Sequence, residues 1–305
     1  MSRRILILTA GFGEGHNAAA RAVAQAWDER EGEGAAVIAD PFADAYPTIN
    51  SVLRRAYLTA INRLPWAWRF LYGWMDRSKL LPQVLGRAPG DARVLRALLE
   101  CHQPLAVVST FPGHNFTLRH LDRAGVHVPP RFTVVTDSIS LNSLWWTGGC
   151  AAWFVPNEDS AAVLRAAGVP GVLIDVTGFP VPPVFERLGD TLAPPVLGAG
   201  GRPRILVMIH SGRRGAERTA RLLLCEKGWD LTFAVGRDEH LRARLTALAA
   251  HRTGVTLLGW TREIPQLLLS HHVVISKAGG ATTQEALAAG CPMVVSQVVP
   301  GQEEG

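Results

Sequence analysis

Cysteine is scarce in this chain of 305 residues, and its four cysteines stand far apart, at positions 101, 150, 225 and 291. They form no C-x-x-C pair and have no histidines at a metal-binding spacing, so we expect neither disulfides nor a structural metal site. Long apolar runs are also missing. Since no stretch reaches the roughly eighteen consecutive apolar residues that a spanning helix needs, the sequence predicts no transmembrane helix. These absences favour a cytoplasmic protein whose contact with a membrane is peripheral.

The charge balance is mildly basic, with a net charge of +5 at pH 7 and a sequence pI of about 9.4. Such a surplus suits nucleic acid, an anionic membrane surface or phosphorylated substrates as partners. The arginines are spread along the chain and no nucleic-acid-binding module is recognisable, so we exclude nucleic acid. With 48% apolar and 19% charged residues, the composition is that of a globular protein.

The length predicts two domains, because one hydrophobic core rarely serves 305 residues. A stretch rich in glycine and proline, without apolar periodicity, covers residues 189–204 and is typical of an interdomain linker. It separates a first domain at 1–188 from a second domain at 205–305. In both domains short apolar runs alternate with helical segments, which predicts an α/β fold with parallel sheets.

The first domain begins with a strand at Ile5–Thr9, a glycine-rich loop, a helix at Ala18–Trp27 and a strand at Ala36–Asp40. This order is typical of a Rossmann βαβ unit. The glycine spacing is G-x-G-x-G instead of the dinucleotide-binding G-x-G-x-x-G, so the loop is either a tight turn or part of another ligand site. His16 lies where the loop meets the helix. The helix dipole there favours a neutral ring that accepts a proton, and a solvent-exposed loop histidine is the alternative.

Two later strands of the first domain, Leu105–Ser109 and Arg131–Thr136, each end in a polar loop. Open α/β sheets bind ligands at the carboxyl ends of their strands. His114, Asn115 and Asp137 lie in these loops and are therefore candidate ligand-binding residues. Side chains of an ordinary solvated loop are the alternative.

Residues 46–81 differ from the rest of the chain, because tyrosines and tryptophans, among them Trp66 and Trp68, are interleaved with arginines. Aromatic rings at headgroup depth and cations on anionic lipid are typical of a segment at a membrane interface. The same pattern fits a pair of helices packed on its own domain, with arginines in solvent. The residues alone leave both interpretations open.

The second domain carries its clearest signal near its end. A short apolar strand at Val273–Ile275 leads into the turn S-K-A-G-G at 276–280, and a helix is predicted from Thr282. A glycine turn that feeds a helix N-terminus binds anions, because unpaired N–H groups and the helix dipole converge there, so we expect a diphosphate. Glu285 is either the carboxylate of a capping box with Thr282 or a ligand-binding residue.

Several strings of residues carry a resemblance to one enzyme family. The string S-K-A-G-G-A-T-T-Q-E-A at 276–286, with P-G-Q-E at 300–303, resembles the nucleotide-sugar site of GT-B glycosyltransferases. The branch is that of monogalactosyldiacylglycerol synthases and bacterial diacylglycerol glucosyltransferases, which is related to the peptidoglycan transferase MurG. The string G-F-G-E-G-H-N-A-A-A at 11–20 resembles the acceptor-side loop of this branch. V-V-T-D at 134–137, with a tryptophan eight residues after the aspartate, is similar to a further segment, but Asn142 stands where many members carry a histidine. No proton transfer is expected at that position.

The resemblance implies the GT-B fold, in which two Rossmann-like domains face each other across a cleft. It implies transfer of a hexosyl group from a UDP-sugar to a lipid hydroxyl, with diacylglycerol as the expected acceptor. GlcNAc transfer to a polyprenyl-linked acceptor and nucleotide-sugar binding without turnover are the alternatives. The resemblance favours the membrane interpretation of residues 46–81, and it implies no metal or cofactor beyond the UDP-sugar. Since family members continue beyond the last motif, we expect a truncated chain.

The resemblance also assigns roles to residues. His16 is the expected general base for the acceptor hydroxyl, and Asp137 is the second expected catalytic residue. Glu285 is expected to bind the ribose hydroxyls. Trp260 is expected to line the base pocket, with a buried core tryptophan as the alternative. Arg213 is expected to lie near the diphosphate, with a solvated side chain as the alternative. The expected acceptor-side residues are Gly13, Gly15, His114, Asn115, Trp66 and Trp68. The expected donor-binding residues are Ser276, Gly279, Gly280, Ala281, Thr282, Thr283, Glu285, Gln302, Glu303, Trp260, Thr261, Arg262, Ser211 and Arg213.

Overall fold

The computed structural model describes residues 3–11, 14–52, 89–138, 141–198, 201–208 and 212–297, with the backbone alone for 212–214. The chain forms two compact units that divide between Pro182 and Pro183. The sequence predicts a linker at 189–204, but the division lies earlier. The reason is that the helix Val184–Gly189 buries Phe185 and packs against the helix Ile264–Ser270 of the second unit.

The first unit is built on a six-stranded parallel sheet. Its strands are β1 Ile5–Leu8, β2 Ala36–Ala39, β3 Ala106–Ser109, β4 Arg131–Val134, β5 Ala152–Val155 and β6 Ile174–Val176. The strand order is β2-β1-β3-β4-β5-β6, and every neighbouring pair is parallel. All four residues of β1 are buried, as its unbroken apolar run predicts for a strand inside a parallel sheet.

Helices cover both faces of this sheet. The helices described are α1 Glu14–Glu31, α2 Pro41–Ala45, α3 Pro89–His102, α4 His114–Arg123, α5 Leu144–Thr147 and α6 Glu158–Ala166. Side chains of a strand alternate between its two faces. Leu6 of β1 accordingly packs with Leu95 of α3 and Leu118 of α4, whereas Ile7 packs with Ala20 of α1. This packing holds α1 against one face of the sheet, and its first turn follows the carboxyl end of β1.

The second unit repeats the arrangement on a five-stranded parallel sheet of order β11-β10-β7-β8-β9. Its strands are β7 Arg204–Met208, β8 Asp230–Ala234, β9 Val255–Leu258, β10 Val273–Lys277 and β11 Met293–Gln297. Its helices are α7 Val184–Gly189, α8 Gly212–Leu224, α9 Glu239–Ala249, α10 Ile264–Ser270 and α11 Gly280–Ala288. Val207 and Phe233 form the centre of its core with Leu241 and Leu245 of α9 and Ala216 of α8.

The α/β fold with parallel sheets is confirmed. The predicted boundaries are wrong mainly at the starts of two helices. Helix α1 begins at Glu14, about one turn before the predicted Ala18, so His16 lies in its first turn. Helix α11 begins at Gly280 and not at Thr282. In both cases the neighbouring glycines led to the prediction of a loop for residues that belong to the first turn of the helix.

The aromatic and arginine-rich part of residues 46–81 falls largely outside the described ranges, and so do Trp66 and Trp68. Within the ranges that are described, no helix has both the length and the apolar character needed to cross a bilayer.

Candidate active site

The candidate catalytic residues of the first unit meet at the carboxyl ends of three neighbouring strands. His16 lies in the first turn of α1, directly after β1, and Thr110 follows β3. Thr136 and Asp137 follow β4. Because β1, β3 and β4 are adjacent in the sheet, the segments that leave them lie side by side at one edge.

Two threonines hold the imidazole of His16. Its Nδ1 lies 2.8 Å from the backbone oxygen of Thr110 and 2.7 Å from the hydroxyl oxygen of Thr136. A carbonyl oxygen only accepts hydrogen bonds, so Nδ1 carries the hydrogen and donates it, with the Thr136 hydroxyl as a second acceptor. The lone pair of the neutral ring is then on Nε2. The fold therefore selects the tautomer in which Nε2 is the basic atom.

The surroundings of His16 keep this ring neutral. Burial lowers the pKa of His16 below its usual value of about 6.5, and the charge of Asp137 and the hydrogen bond to Thr110 offset part of that shift. The ring of Phe111 makes an edge contact at a centroid distance of 5.4 Å, and that of Trp145 lies 6.1 Å away. At neutral pH the ring accepts a proton. His16 is partly buried and lies in the first turn of a helix, not in a loop.

Asp137 stands beside His16, and its carboxylate is engaged by a tryptophan. Oδ2 of Asp137 accepts a hydrogen bond of 2.7 Å from Nε1 of Trp145. The hydrogen bonds of His16 Nδ1 go to the two threonines, so Asp137 acts on the imidazole through its negative charge. A charge in that position favours the imidazolium that forms when Nε2 takes up a proton.

His114 and Asn115, predicted on the acceptor side, are 2% and 1% exposed, so the solvated-loop alternative is wrong for both. Nε2 of His114 donates to the backbone oxygen of Thr9 at 2.8 Å, and burial lowers the pKa of His114. Nδ2 of Asn115 donates to the hydroxyl of Thr133 at 2.8 Å. These contacts tie the start of α4 to the segments of the neighbouring strands β1 and β4. Direct contact of either residue with an acceptor stays a prediction.

The glycine-rich loop is anchored by an aspartate that sequence reasoning missed. Gly11 donates its N–H to Oδ2 of Asp40 at 2.7 Å, while Oδ1 accepts the N–H of Ala43 and caps α2. A polar residue directly after a buried strand is the signal that could have identified Asp40. Gly15 lies in the first turn of α1, and Gly13 is outside the described residues.

Asn142, which departs from the family pattern, has a structural role. It is 8% exposed, and its Oδ1 accepts the N–H of Leu144 at the start of α5. This contact helps to place the short helix that carries Trp145.

In the second unit, the turn between β10 and α11 is shorter than the predicted 276–280, because Ser276 and Lys277 belong to β10 and Gly280 begins α11. Ser276 is fully buried, and Gly279 is the N-cap of α11 in an extended conformation, with φ −87° and ψ 127°. Thr283 donates to the backbone oxygen of Gly279, so the N–H groups of Gly280, Ala281 and Thr282 lie in the first turn, where they have no acceptor within the helix. Such N–H groups are suited to an anion.

The start of α11 also decides between the two interpretations of Glu285. A capping box requires Thr282 at the N-cap, but Thr282 is the third residue of the helix and Gly279 is its N-cap. The capping-box interpretation is therefore wrong. Glu285 lies in the second turn and is partly buried. Its contact with a ribose stays a prediction.

Trp260 lies after β9, at the same edge of the sheet, and is 55% exposed, so its interpretation as a core residue is wrong. The guanidinium groups of Arg237 and Arg262 lie 5.2 Å and 5.6 Å from its ring centroid, within the range of a cation–π contact. The hydroxyl of Thr261 accepts the N–H of Glu263 and shapes the loop. Arg237 was missed by sequence reasoning, although its position just after β8 is a usable signal.

The other predicted donor residues are described only in part. Ser211, Gln302 and Glu303 lie outside the described residues, and for Arg213 only the backbone, within α8, is described. Their roles stay predictions.

The candidate catalytic residues of the first unit lie in a segment that matches a known family. The family model described as monogalactosyldiacylglycerol (MGDG) synthase matches residues 16–181, a segment that begins at His16. The chain belongs to the MGDG synthase family. The predicted family is confirmed, and the match covers His16, Thr110, Thr136 and Asp137.

Curated relatives agree with this family. The processive diacylglycerol beta-glucosyltransferase of Bacillus subtilis (strain 168) is 26% identical over 314 residues, which cover 99% of this chain and 80% of that protein. The enzyme of the same name from Staphylococcus carnosus is 24% identical over 308 residues, covering 99% of this chain and 77% of that protein.

Solved structures support the fold. The glycosyltransferase SnogD from Streptomyces nogalater aligns with a TM-score of 0.57 at 18% identity and covers 97% of this chain and 83% of that one. The UDP-GlcNAc 2-epimerase from Neisseria meningitidis aligns with a TM-score of 0.53 at 14% identity over 99% and 84% of the two chains. The predicted GT-B fold class of this MGDG synthase family member is confirmed.

Proposed function

We propose that this protein transfers a hexosyl group from a UDP-sugar to the hydroxyl of a lipid, with diacylglycerol as the acceptor. The observation that carries the proposal is the state of His16: its Nδ1 is committed to Thr110 and Thr136, which leaves a neutral ring with a basic Nε2. Membership of the MGDG synthase family and the names of the curated relatives support the lipid acceptor.

The first unit would supply the acid–base chemistry. Nε2 of His16 takes the proton of the lipid hydroxyl as its oxygen forms a bond to the anomeric carbon of the sugar. The bond from that carbon to the diphosphate oxygen breaks, and its electron pair leaves with UDP. The resulting imidazolium lies beside the carboxylate of Asp137, whose charge stabilises it.

The second unit would bind the donor. The first-turn N–H groups of α11 face the negative charge that grows on the departing UDP, so the residues present supply this stabilisation themselves. Glu285 would bind the ribose hydroxyls, and the exposed ring of Trp260 would contact the base. No cofactor besides the donor substrate is part of the proposal.

An assay with radiolabelled UDP-glucose or UDP-galactose and vesicles that contain diacylglycerol tests this function. We expect a labelled glycolipid product. If only a polyprenyl-phosphate acceptor and UDP-GlcNAc yield product, the MurG-like alternative replaces the proposal. If UDP-sugars bind in a calorimetric titration but no acceptor yields product, the protein binds nucleotide sugars without turnover.

Arg237 provides a smaller test on the donor side. Arg237→Ala should weaken UDP binding by about 2- to 5-fold, the effect of losing one exposed cation–π contact that holds Trp260 in place. Arg218→Ala, which removes an exposed arginine from α8, is the matched control and should bind UDP as the unmodified protein does. Equal UDP affinity of both variants in calorimetry would remove Arg237 from the donor site.

We further propose that the protein works at the cytoplasmic face of the membrane, bound peripherally through residues 46–81. The mixture of tryptophans and arginines in this segment and the net charge of +5 favour an anionic surface. The double replacement of Trp66 and Trp68 by alanine should reduce sedimentation with phosphatidylglycerol vesicles, and added salt should do the same because it screens the arginines.

Trp260→Ala is the matched control for this experiment, because it removes an exposed tryptophan from the second unit. It should sediment with vesicles like the unmodified protein. Unchanged sedimentation of a folded Trp66 and Trp68 double variant would contradict the membrane proposal.

A further inference from the structure

The proposed function assigns no role to Trp145, the tryptophan that follows the V-V-T-D motif. It stands eight residues after Asp137, is 1% exposed, and donates its indole N–H to the carboxylate of Asp137 at 2.7 Å. Its ring also lies 6.1 Å from that of His16, at an angle of 47°. A single buried side chain therefore touches both the candidate base and the charge beside it.

The position of Trp145 is fixed from several sides. Its backbone oxygen accepts the indole N–H of Trp153 at 2.8 Å, and both rings belong to one core cluster with Val155 and Leu164. The N–H of Leu144, the preceding residue, is held by Asn142. Because the indole of Trp145 cannot move easily, it also holds the carboxylate of Asp137 in place. Movement of either partner would break a buried hydrogen bond, which costs free energy.

The Asp137 carboxylate accepts the indole N–H of Trp145, and its charge also acts on the nearby ring of His16. In the structure the indole holds the carboxylate, and His16 Nδ1 donates to uncharged oxygens of Thr110 and Thr136. A direct ion pair would favour the imidazolium in the resting enzyme and so remove the base.

We propose that Trp145 is a positioning residue for the reaction proposed above: its indole N–H holds Asp137 away from Nδ1 of His16. The carboxylate is then close enough to stabilise the imidazolium of His16 once it forms. Because the carboxylate makes no direct hydrogen bond to Nδ1, the ring stays neutral until the acceptor binds. The neutral hydrogen bonds to the threonines preserve the orientation of the ring.

The test is Trp145→Phe, which keeps an aromatic ring in the core and removes the indole donor. In an NMR titration of the ¹⁵N-labelled protein, the pKa of His16 should rise by about one unit or more, because the released carboxylate pairs with Nδ1–H. The inflection of the pH–activity profile should rise by the same amount, while UDP affinity stays unchanged. An unchanged His16 pKa in a folded variant would overturn the proposal.

Asp137→Asn separates positioning from packing. This variant removes the charge, so the pKa of His16 should fall, since the charge of Asp137 raises it in the native protein. In the Asp137→Asn background, Trp145→Phe should no longer change the His16 titration, because its effect passes through the carboxylate. A Trp145 effect that persists there would show that the ring acts by packing alone.

A further readout serves if Trp145→Phe does not fold. In the single variant Asp137→Asn, the indole N–H resonance of Trp145 should shift, because its acceptor has lost its charge. An unshifted resonance would overturn the proposal. The NMR readouts require no turnover, so they distinguish this inference from the glycosyltransferase function. If the protein forms no glycolipid but shows the expected titrations, the role of Trp145 stands and only the proposed glycosyltransferase reaction is contradicted.

Discussion

Replacing His16 by alanine should lower glycolipid formation by about 10²–10⁴-fold, the usual contribution of a general base. The variant loses Nε2 of His16, the basic atom that remains once Nδ1 has donated its hydrogen to Thr110 and Thr136. A base acts on the acceptor proton in the transition state and adds little to ground-state binding of the donor. UDP affinity, measured by calorimetry, should therefore stay within a few-fold of the unmodified protein.

The same residue sets the pH dependence. His16 must be neutral to accept a proton, and burial lowers its pKa below about 6.5. Turnover should therefore rise with pH through an inflection below that value and be constant at neutral pH. The inflection should be absent from the residual activity of His16→Ala, since the group whose titration causes it has been removed.

His240→Ala is a matched control, because it removes an exposed histidine from α9 of the second unit. It should keep full turnover and the same pH profile. Near-full turnover in His16→Ala would leave Asp137 as the better candidate for the base. Loss of UDP affinity in that variant would contradict the assignment of acceptor and donor to separate units.

Much of the fold follows from local patterns in the sequence. The run Ile5–Leu8 is apolar without interruption, and it forms a strand buried on both faces, as the physics of parallel sheets requires. The starts of α1 and α11 were misplaced for one reason: glycines at 11, 13, 15, 279 and 280 suggest a loop, yet backbone N–H groups and packing continue the helix through Gly15 and Gly280. Propensity is a weak guide where tertiary packing decides.

The site is less accessible to sequence reasoning, because its contacts join residues that are far apart along the chain. Motif resemblance identifies His16 and Asp137. The partners that decide the chemistry of the imidazole lie 94 and 120 positions from it, at Thr110 and Thr136. No local periodicity encodes such pairs. Arg237 was missed for the same reason, since its contact with Trp260 depends on two strands being neighbours in the sheet.

Glu285→Gln should weaken UDP binding by about 10- to 100-fold, which corresponds to the loss of hydrogen bonds to a charged acceptor. A carboxylate accepts two strong hydrogen bonds from the 2′ and 3′ hydroxyls of a ribose, whereas the amide turns a donor towards one of them. The structure strengthens this prediction, because Glu285 lies in the second turn of α11 and cannot serve as a capping box with Thr282. The melting temperature should accordingly change little.

Two comparisons make the Glu285 experiment decisive. Glu226→Gln neutralises an exposed carboxylate elsewhere in the second unit and should leave UDP affinity unchanged, which controls for the change in net charge. UDP and 2′,3′-dideoxy-UDP should then be compared on both variants and on the unmodified protein. If Glu285 binds the ribose hydroxyls, the unmodified protein should prefer UDP strongly, and Glu285→Gln should bind the two ligands almost equally. A preference for UDP that survives in Glu285→Gln would place the ribose on other residues, and a fall in melting temperature without a change in affinity would make Glu285 a residue that stabilises its helix.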